Sequence, residues 1–295
     1  MLVVFLVVFH YYQKQNPAEE LAFKASRVDL VNRVQLALAS ASEAEKSAVL
    51  AITDQDSQTF AEQARAASAE VEWECQDLGK LLASGGTQSE KELFDQFTRL
   101  FNELQHIDKD LLNLAVQNTN LKASALTFGD ASTAINTMNA ALSSLIASNS
   151  GSPEESQIMS LGYGTEISVL RIQTLLPPHI AEESNQKMDE LESQMAKEDT
   201  QIRKNLDKLM GIAKLRQNAD LTKAISSYAQ FSQIKTRILA LSRENTNVRS
   251  LSIALNQKRK AMFLCQDTLN KLQQAILDEP IKGVTYGHPA RPRKL

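Results

Sequence analysis

The sequence predicts an all-α protein, an elongated up-down-up-down bundle of long helices. Only 10 glycines and 7 prolines occur in 295 residues, and no alternating β-branched run is long enough for a strand. Apolar residues recur at steps of three and four over long stretches, the pattern of amphipathic helices in a bundle. Clear turn signals separate these stretches, so they predict four helical rods, A to D.

Rods A and B form the first predicted hairpin. Rod A is predicted from Pro17, which suits a first helical turn, to Leu82. The segment 83–87 contains two adjacent glycines and ends it. Rod B follows from about residues 89–90 to the turn at 149–153, the strongest turn signal in the chain.

Rods C and D form the second hairpin. Rod C is predicted to begin with Ser152 as N-cap and Pro153 at the first helical position, and to reach residues 211–218. Pro177 and Pro178 lack backbone donors, so we expect rod C to kink or break there.

Rod D is predicted from there to Asp278, before Pro280. Short connections make consecutive rods antiparallel neighbours. Rods B and D each contain two successive apolar steps of three, at 125–131 and 252–258, which predict local overwinding.

A tripeptide marks an internal repeat. Asn118-Thr119-Asn120 recurs as Asn245-Thr246-Asn247, 127 residues later, and the apolar positions around the two copies coincide at this shift. The first asparagine of each copy lies on the apolar seam of its rod. We therefore expect an internal duplication that forms two stacked helical-bundle modules.

Four regions follow from these predictions. Residues 15–150 form the first helical hairpin and residues 151–279 the second. Residues 280–295 are expected to be a basic, disordered tail.

Residues 1–14 are interpreted as a partial membrane anchor. The apolar run 1–9 is about half of the roughly 20 residues that a spanning helix needs, and an aromatic segment follows it. A signal peptide would begin with basic residues and end at a small-residue cleavage site, and this segment has neither feature. We expect the outer half of an anchor whose beginning is missing; the alternative is a short apolar segment that is disordered or packs in an oligomer.

Charge and motifs exclude several functions. The net charge is −3, and the basic residues form no concentrated basic face outside the tail. No nucleic-acid partner is therefore predicted. Cys75 and Cys265 lack metal-site spacing. Nucleophile elbows, phosphate-binding glycine loops and helical histidine pairs are missing from the sequence, and no pair of Glu-x-x-His motifs indicates a di-iron centre. We predict no enzyme activity, no cofactor and no metal.

Several segments resemble a known receptor family. Residues 112–126 and 239–253 resemble the second long helix of the four-helix-bundle sensory module of methyl-accepting chemotaxis receptors, and residues 44–52 and 188–195 are similar to its first helix. The doubled length is similar to the two-module helical-bundle variant of these receptors. This sequence departs from the family pattern, because no second apolar span and no signalling hairpin follow rod D.

The resemblance implies an extracytoplasmic, dimeric module that lies between two membrane-spanning helices and signals by a helix shift. It also implies a small organic acid or amino acid as ligand. The rival interpretation is a non-catalytic structural or adaptor rod that binds a protein partner and has no small ligand.

The repeated tripeptide supplies the candidate ligand-binding residues Asn118, Thr119, Asn245 and Thr246. As a functional site they would donate hydrogen bonds to a ligand in a polar pocket. The alternatives are buried asparagines that fix helix register, or polar groups that face solvent. Replacing both asparagines by leucine is expected to raise stability and to abolish any stabilisation by a ligand.

Three cations near the tripeptides are further candidates: Lys122, Arg243 and Arg249. A carboxylate ligand would require such groups, preferably arginine. The alternative is a solvated face or interhelical ion pairs. His179, which follows the two prolines, is a weaker candidate and is expected at a kink.

Overall fold

The computed structural model describes residues 17–281, which contain no β-strand, and the predicted all-α fold is confirmed. The predicted anchor (1–14) and most of the predicted tail (280–295) lie outside these residues. The helices are α1 (Pro17–Leu50), α2 (Asp54–Gly85), α3 (Gln88–Ala115), α4 (Thr119–Leu126), α5 (Ser132–Ser148), α6 (Glu155–Ala181), α7 (Asn185–Gly211), α8 (Ala219–Glu244), α9 (Thr246–Ile253) and α10 (Arg259–Asp278).

The prediction of an unbroken rod A was wrong, because residues 51–53 separate α1 from α2. Thr53 acts as the N-cap of α2: its hydroxyl oxygen accepts the backbone N–H of Asp56 at 3.0 Å and donates to the Asp56 carboxylate at 2.8 Å. The first of these bonds is the N-cap half of a capping box, but the Asp56 carboxylate accepts from the Thr53 hydroxyl instead of from the Thr53 backbone N–H. The Thr-x-x-Asp signature was present in the sequence and could have predicted the break.

Rod C differs from its prediction both at its start and at its two prolines. Ser152 and Pro153 belong to the turn, and α6 begins at Glu155, whose carboxylate accepts the N–H of Gly151 at 2.7 Å. Helix α6 also continues through the two prolines and ends at Ala181. The break follows at residues 182–184, where the Glu182 carboxylate accepts the backbone N–H groups of the next two residues. The local capping group therefore sets the break, one turn beyond the prolines.

Rods B and D contain π-helical turns where overwinding was predicted, at Thr127–Ala131 and Ala254–Lys258. Around the π-helical turn of rod B, the buried positions are Ala123, Thr127 and Ala131, four residues apart, whereas Phe128 is 69% exposed. A π-helical turn bonds i to i+5 and is wider than an α-helical turn, so the apolar seam advances by four. The predicted steps of three were wrong.

Two compact units are present, and each draws on both predicted hairpins. The first unit combines the described parts of residues 1–48, 58–110 and 254–295. Its core is built from α1, α2, α3 and α10 and includes Val34, Leu78, Phe97 and Leu269. The predicted seam of rod B supplies Phe97, Phe101 and Leu104 to this core. The internal duplication and the hairpin boundaries remain predictions.

Buried ion pairs and hydrogen bonds connect helix ends in the first unit. Arg27, 2% exposed, pairs with the fully buried Glu90 and with Glu279 at 2.6 Å. Glu90 also forms a capping box with Thr87 at the start of α3. Near Arg27, the ammonium of Lys24 donates to the backbone carbonyls of Leu277 and Glu279 at 2.6 and 2.7 Å. The first turns of α1 are thus tied to the end of α10.

The second unit combines residues 49–57 and 111–253. Its core lies between α5, α6, α7 and α8, with α5 packed on α8 and α6 packed on α7. Large apolar side chains such as Ile135, Leu142, Ile172 and Phe231 are wholly or almost wholly buried there. Both copies of the Asn-Thr-Asn tripeptide belong to this unit.

Candidate functional site

Each Asn-Thr-Asn tripeptide stands where one helix ends and the next begins. Asn118 precedes α4 and Asn245 precedes α9, and their φ angles are 51° and 55°. Among the described residues, they are the only residues other than glycine that have a positive φ. Asparagine tolerates this left-handed conformation better than most residues. Their exposed fractions of 0% and 4% confirm that both asparagines are buried.

The two tripeptides bond to each other, position for position. The backbone N–H of Thr119 donates to the Thr246 hydroxyl oxygen at 3.2 Å, and the N–H of Thr246 donates to the Thr119 hydroxyl oxygen at 3.1 Å. The N–H of Asn120 and the N–H of Asn247 each donate to the other residue's side-chain oxygen at 3.1 Å. The first N–H groups of a helix have no partner within it. Here each tripeptide caps the helix that the other one begins.

The side-chain amides complete the same two-fold pattern. Asn247 Nδ2 donates to Asn118 Oδ1 at 2.9 Å, and Asn120 Nδ2 donates to Asn245 Oδ1 at 2.7 Å. Asn120 Nδ2 also donates to the carbonyl of Ile180 at 2.6 Å. We call residues 118–120 and 245–247 together the Asn-Thr-Asn layer. Its hydrogen bonds cross from one half of the sequence to the other.

The layer also contacts the breaks of the other two rods. Asn118 Nδ2 donates to Asp54 Oδ1 at 3.0 Å, and Asp54 is the first residue of α2, directly after the break at 51–53. Asn245 Nδ2 donates to the carbonyl of Glu182 at 2.8 Å, at the break between α6 and α7. All four predicted rods are therefore interrupted at this layer. Packing can rearrange more readily at such breaks than within continuous helices.

Lys122 and Arg249 occupy equivalent positions but differ in their partners. Each backbone N–H bonds to the carbonyl of its own tripeptide's first asparagine at 3.0 Å. Lys122 Nζ lies 3.3 Å from Asp54 Oδ2 and donates to the carbonyl of Gln117 at 2.8 Å. Arg249 is exposed and forms no ion pair with the residues that the structure describes.

Arg243, the third predicted cation, points to α7 instead of the layer. Its guanidinium donates to Glu192 Oε1 at 2.8 Å and also pairs with Asp189. These two hydrogen bonds, the one with Glu192 first, raise the pKa of Arg243 above its ordinary value. This arrangement is the interhelical ion pair that the sequence left open as an alternative.

His179 is wholly buried and links three helices beside the layer. Its Nδ1 lies 2.8 Å from Ser242 Oγ on α8, and its Nε2 lies 2.9 Å from Glu192 Oε1 on α7. Ser242 Oγ also donates to the His179 carbonyl at 2.9 Å. The order serine, histidine, glutamate is that of a hydrolase triad, but the Ser242 side chain is 0% exposed and has no access to a substrate. The sequence does not predict this network, because a single histidine carries no motif that indicates its partners.

A second buried polar cluster lies in the first unit, at the end of a π-helical turn. Lys258 pairs with Glu45 of α1, and its ammonium lies 3.8 Å from Asp108 Oδ1 of α3. Burial lowers the pKa of Lys258 to about 7 and raises the pKa of Asp108 to about 7. In the first repeat the equivalent residue is Ala131. The sequence does not predict this cluster, because its three residues lie on three different helices, although Lys258 itself falls at the end of the predicted seam positions 252–258.

Comparison with known families supports the expected resemblance. Residues 35–160 match the model of a four helix bundle sensory module for signal transduction. The predicted resemblance to chemotaxis-receptor sensory modules is therefore confirmed. The matched region includes Asp54, the first tripeptide and Lys122. A comparison with curated proteins finds no match.

Between residues 17 and 281, every helix is too short or too polar to cross a bilayer.

Proposed function

We propose that this chain is the extracytoplasmic, non-catalytic sensory module of a membrane-anchored signal-transduction receptor, and that it binds a small anionic ligand beside the Asn-Thr-Asn layer. The family match at residues 35–160 carries the sensory part of the proposal. The ligand and its position rest on the unequal surroundings of Lys122 and Arg249.

In the first repeat, a carboxylate already lies beside the layer. Asp54 accepts a hydrogen bond from the Asn118 amide and pairs with the Lys122 ammonium. In the second repeat, the Asn245 amide donates to a backbone carbonyl, and Arg249 has no acidic partner among the described residues. An exposed arginine suits a bidentate contact with a small carboxylate. We therefore place the ligand's carboxylate at Arg249.

A ligand there would act on the start of α9. The tripeptides cap each other, so a displacement of α9 removes acceptors from the N–H groups of α4. Ligand binding that favours one position of α9 would thus shift both halves of the layer together. A ligand shifts such an equilibrium only by its difference in affinity for the two arrangements.

A thermal-shift screen with carboxylates and amino acids of two to six carbons tests the proposal. Ligand at about 100 times its dissociation constant adds roughly 2.7 kcal/mol to stability, enough for a clear rise in melting temperature. Arg249→Gln should abolish the rise, whereas Arg237→Gln, on the exposed side of α8, should leave it unchanged. If no compound raises the melting temperature, or if Arg249→Gln retains the full rise, the proposed ligand site is wrong.

The second candidate function is a rod that binds a protein partner and has no small ligand. One observation favours it: the tripeptides satisfy each other's hydrogen bonds without any ligand. A screen without a hit, together with stable binding of a protein partner, would decide for this alternative.

A further inference from the structure

Three charged side chains occupy core positions at one level of the first unit. Glu45 of α1, Asp108 of α3 and Lys258 at the end of the π-helical turn are 2%, 9% and 6% exposed. Lys258 pairs with Glu45, and its Nζ lies 3.8 Å from Asp108 Oδ1. Asp108 Oδ1 accepts no hydrogen bond from the residues that the structure describes. We call these three residues the buried charge layer.

The buried charge layer interrupts the apolar seams of its helices. The adjacent buried positions on the same helices are apolar: Ala41 and Ala48 on α1, Leu104 and Leu111 on α3, and Met262 on α10. Steps of three and four residues separate these positions from the charged ones, so the charged residues lie on the core side of each helix. The charges therefore stand where the rest of the bundle uses apolar side chains.

The second unit has apolar residues at two of the three corresponding positions. At the shift of 127 residues that relates the two tripeptides, the counterparts of Lys258, Glu45 and Asp108 are Ala131, Ile172 and Lys235. The first two counterparts are 0% exposed and belong to the apolar core of the second unit. Apolar residues in place of a buried ion pair are often neutral or stabilising. Stability alone therefore does not explain the buried charge layer.

The net charge of the layer depends on pH. Burial raises the pKa of Asp108 to about 7 and lowers the pKa of Lys258 to about 7. Below this pH, Asp108 is protonated, and the ion pair of Lys258 and Glu45 is neutral as a whole. Above it, the layer has lost a proton, from Asp108 or from Lys258, and carries one unbalanced negative charge. Such a charge is costly in a buried site, because no water solvates it.

Other titratable groups in the first unit do not account for this change. Burial, and after it the charges of Asp108 and Glu103, raise the pKa of Cys265 to about 12, so its thiol stays neutral. The remaining buried charged residues among those described in this unit form ion pairs of their own: Arg27 with Glu90, and Glu74 with Arg33. Neighbouring charged or titratable side chains on the four helices are exposed, including Lys46, Glu62, Arg65, Glu103, His106 and Arg259.

We propose that the buried charge layer is a proton-operated switch in the first unit, in which the loss of one proton as pH rises towards neutral loosens the segment from the π-helical turn to the first turn of α10. The protonated layer is neutral and packs within the core. The deprotonated layer is stabilised only when water reaches it, which requires this segment to open locally. π-helical turns are rare and frequently lie at functional sites. The proposal does not depend on the proposed ligand.

Carbon-13 NMR of the full chain with labelled aspartate carboxyl groups tests the proton site. The signal that Asp108→Asn removes should titrate with a midpoint near pH 7, whereas an ordinary aspartate titrates near pH 3.9. Asp110→Asn assigns an exposed carboxyl group of the same helix, which should titrate in the ordinary range. If the Asp108 signal also titrates in the ordinary range, the layer holds no proton near neutral pH and the proposal is overturned.

Hydrogen exchange followed by mass spectrometry tests the local opening. After correction for the chemical exchange rate, protection of residues 254–262 should fall by roughly tenfold or more between pH 4.5 and pH 7. Residues 127–135 are the internal control, because their π-helical turn has Ala131 in place of Lys258. Their protection should change less than about twofold. Equal changes in the two segments, or no change in either, would overturn the proposal.

Variants of the layer connect the proton to the opening. Asp108→Asn should abolish the fall in protection, whereas His106→Gln, at an exposed position of the same helix, should retain it. A chain that combines Glu45→Ile, Asp108→Leu and Lys258→Ala replaces the whole layer by apolar side chains. This chain should fold, as circular dichroism verifies, and its protection should not depend on pH, so the test does not rest on Asp108→Asn alone. A fall that persists in either layer variant contradicts the switch.

Discussion

The backbone conformation of Asn118 and Asn245 predicts the effect of replacing both by leucine. From the sequence alone, leucine at two buried seam positions is expected to raise stability. The structure predicts the opposite result, because both residues have φ above +50°. A leucine side chain in this conformation places its Cβ too close to the following carbonyl oxygen.

The expected magnitude follows from three terms at each site. The left-handed conformation costs about 1–2 kcal/mol for a residue with an ordinary side chain. Each asparagine makes two amide hydrogen bonds, worth about 0.5–1.5 kcal/mol apiece. Burial of the leucine side chain offsets about 1.5–3 kcal/mol of this loss. Taken at their midpoints, these terms give a net loss of roughly 1 kcal/mol per site. Because both sites belong to one hydrogen-bonded layer, the loss for the pair is not expected to be the simple sum of the two single losses.

Urea unfolding followed by circular dichroism measures these differences. The matched control is Asn205→Leu, because Asn205 is 4% exposed and lies within α7 in ordinary helical conformation. It loses a hydrogen bond with Gln201 but incurs no backbone strain, so its stability should stay equal or rise. If the Asn118→Leu, Asn245→Leu double variant is at least as stable as the wild type, the argument from backbone conformation is refuted.

Three further predictions concern buried polar groups. The pKa of Asp108 is raised to about 7, so between about pH 4 and pH 7 the unfolded chain loses this proton before the folded chain does, and stability falls by up to about 4 kcal/mol. Denaturation at pH 4.5 to 7.5 measures this fall. Asp108→Asn should remove it, and Asp110→Asn, at an exposed position, should not. Glu90→Gln leaves Arg27 with only its partly exposed partner and should cost about 3 kcal/mol in urea unfolding; an effect as small as that of the exposed Glu92→Gln would contradict this. Ser242→Ala strands a ring nitrogen of buried His179 and should cost about 1–3 kcal/mol by thermal unfolding, and an unchanged melting temperature would count against the network.

Local signals in the sequence predicted many helix boundaries. The turn at 149–153, the segment 83–87 and Pro280 each coincide with a helix end in the structure. Core positions such as Phe97 and Phe231 follow from apolar spacing, because helical periodicity is a property of neighbouring residues. The predictions fail where the helix changes type: the π-helical turns shift the seam, and apolar Phe128 and Leu255 face solvent.

The sequence by itself determined that this chain is all-α, where the turns between its four predicted rods lie, and that two Asn-Thr-Asn tripeptides lie 127 residues apart. Only the tertiary structure decided what the tripeptides do. Their hydrogen bonds join residues that are distant in the chain, and a helix's first N–H groups have no partner of their own. The packing of the second unit supplies those partners, and it brings all four interruptions to one layer that local sequence could not reveal.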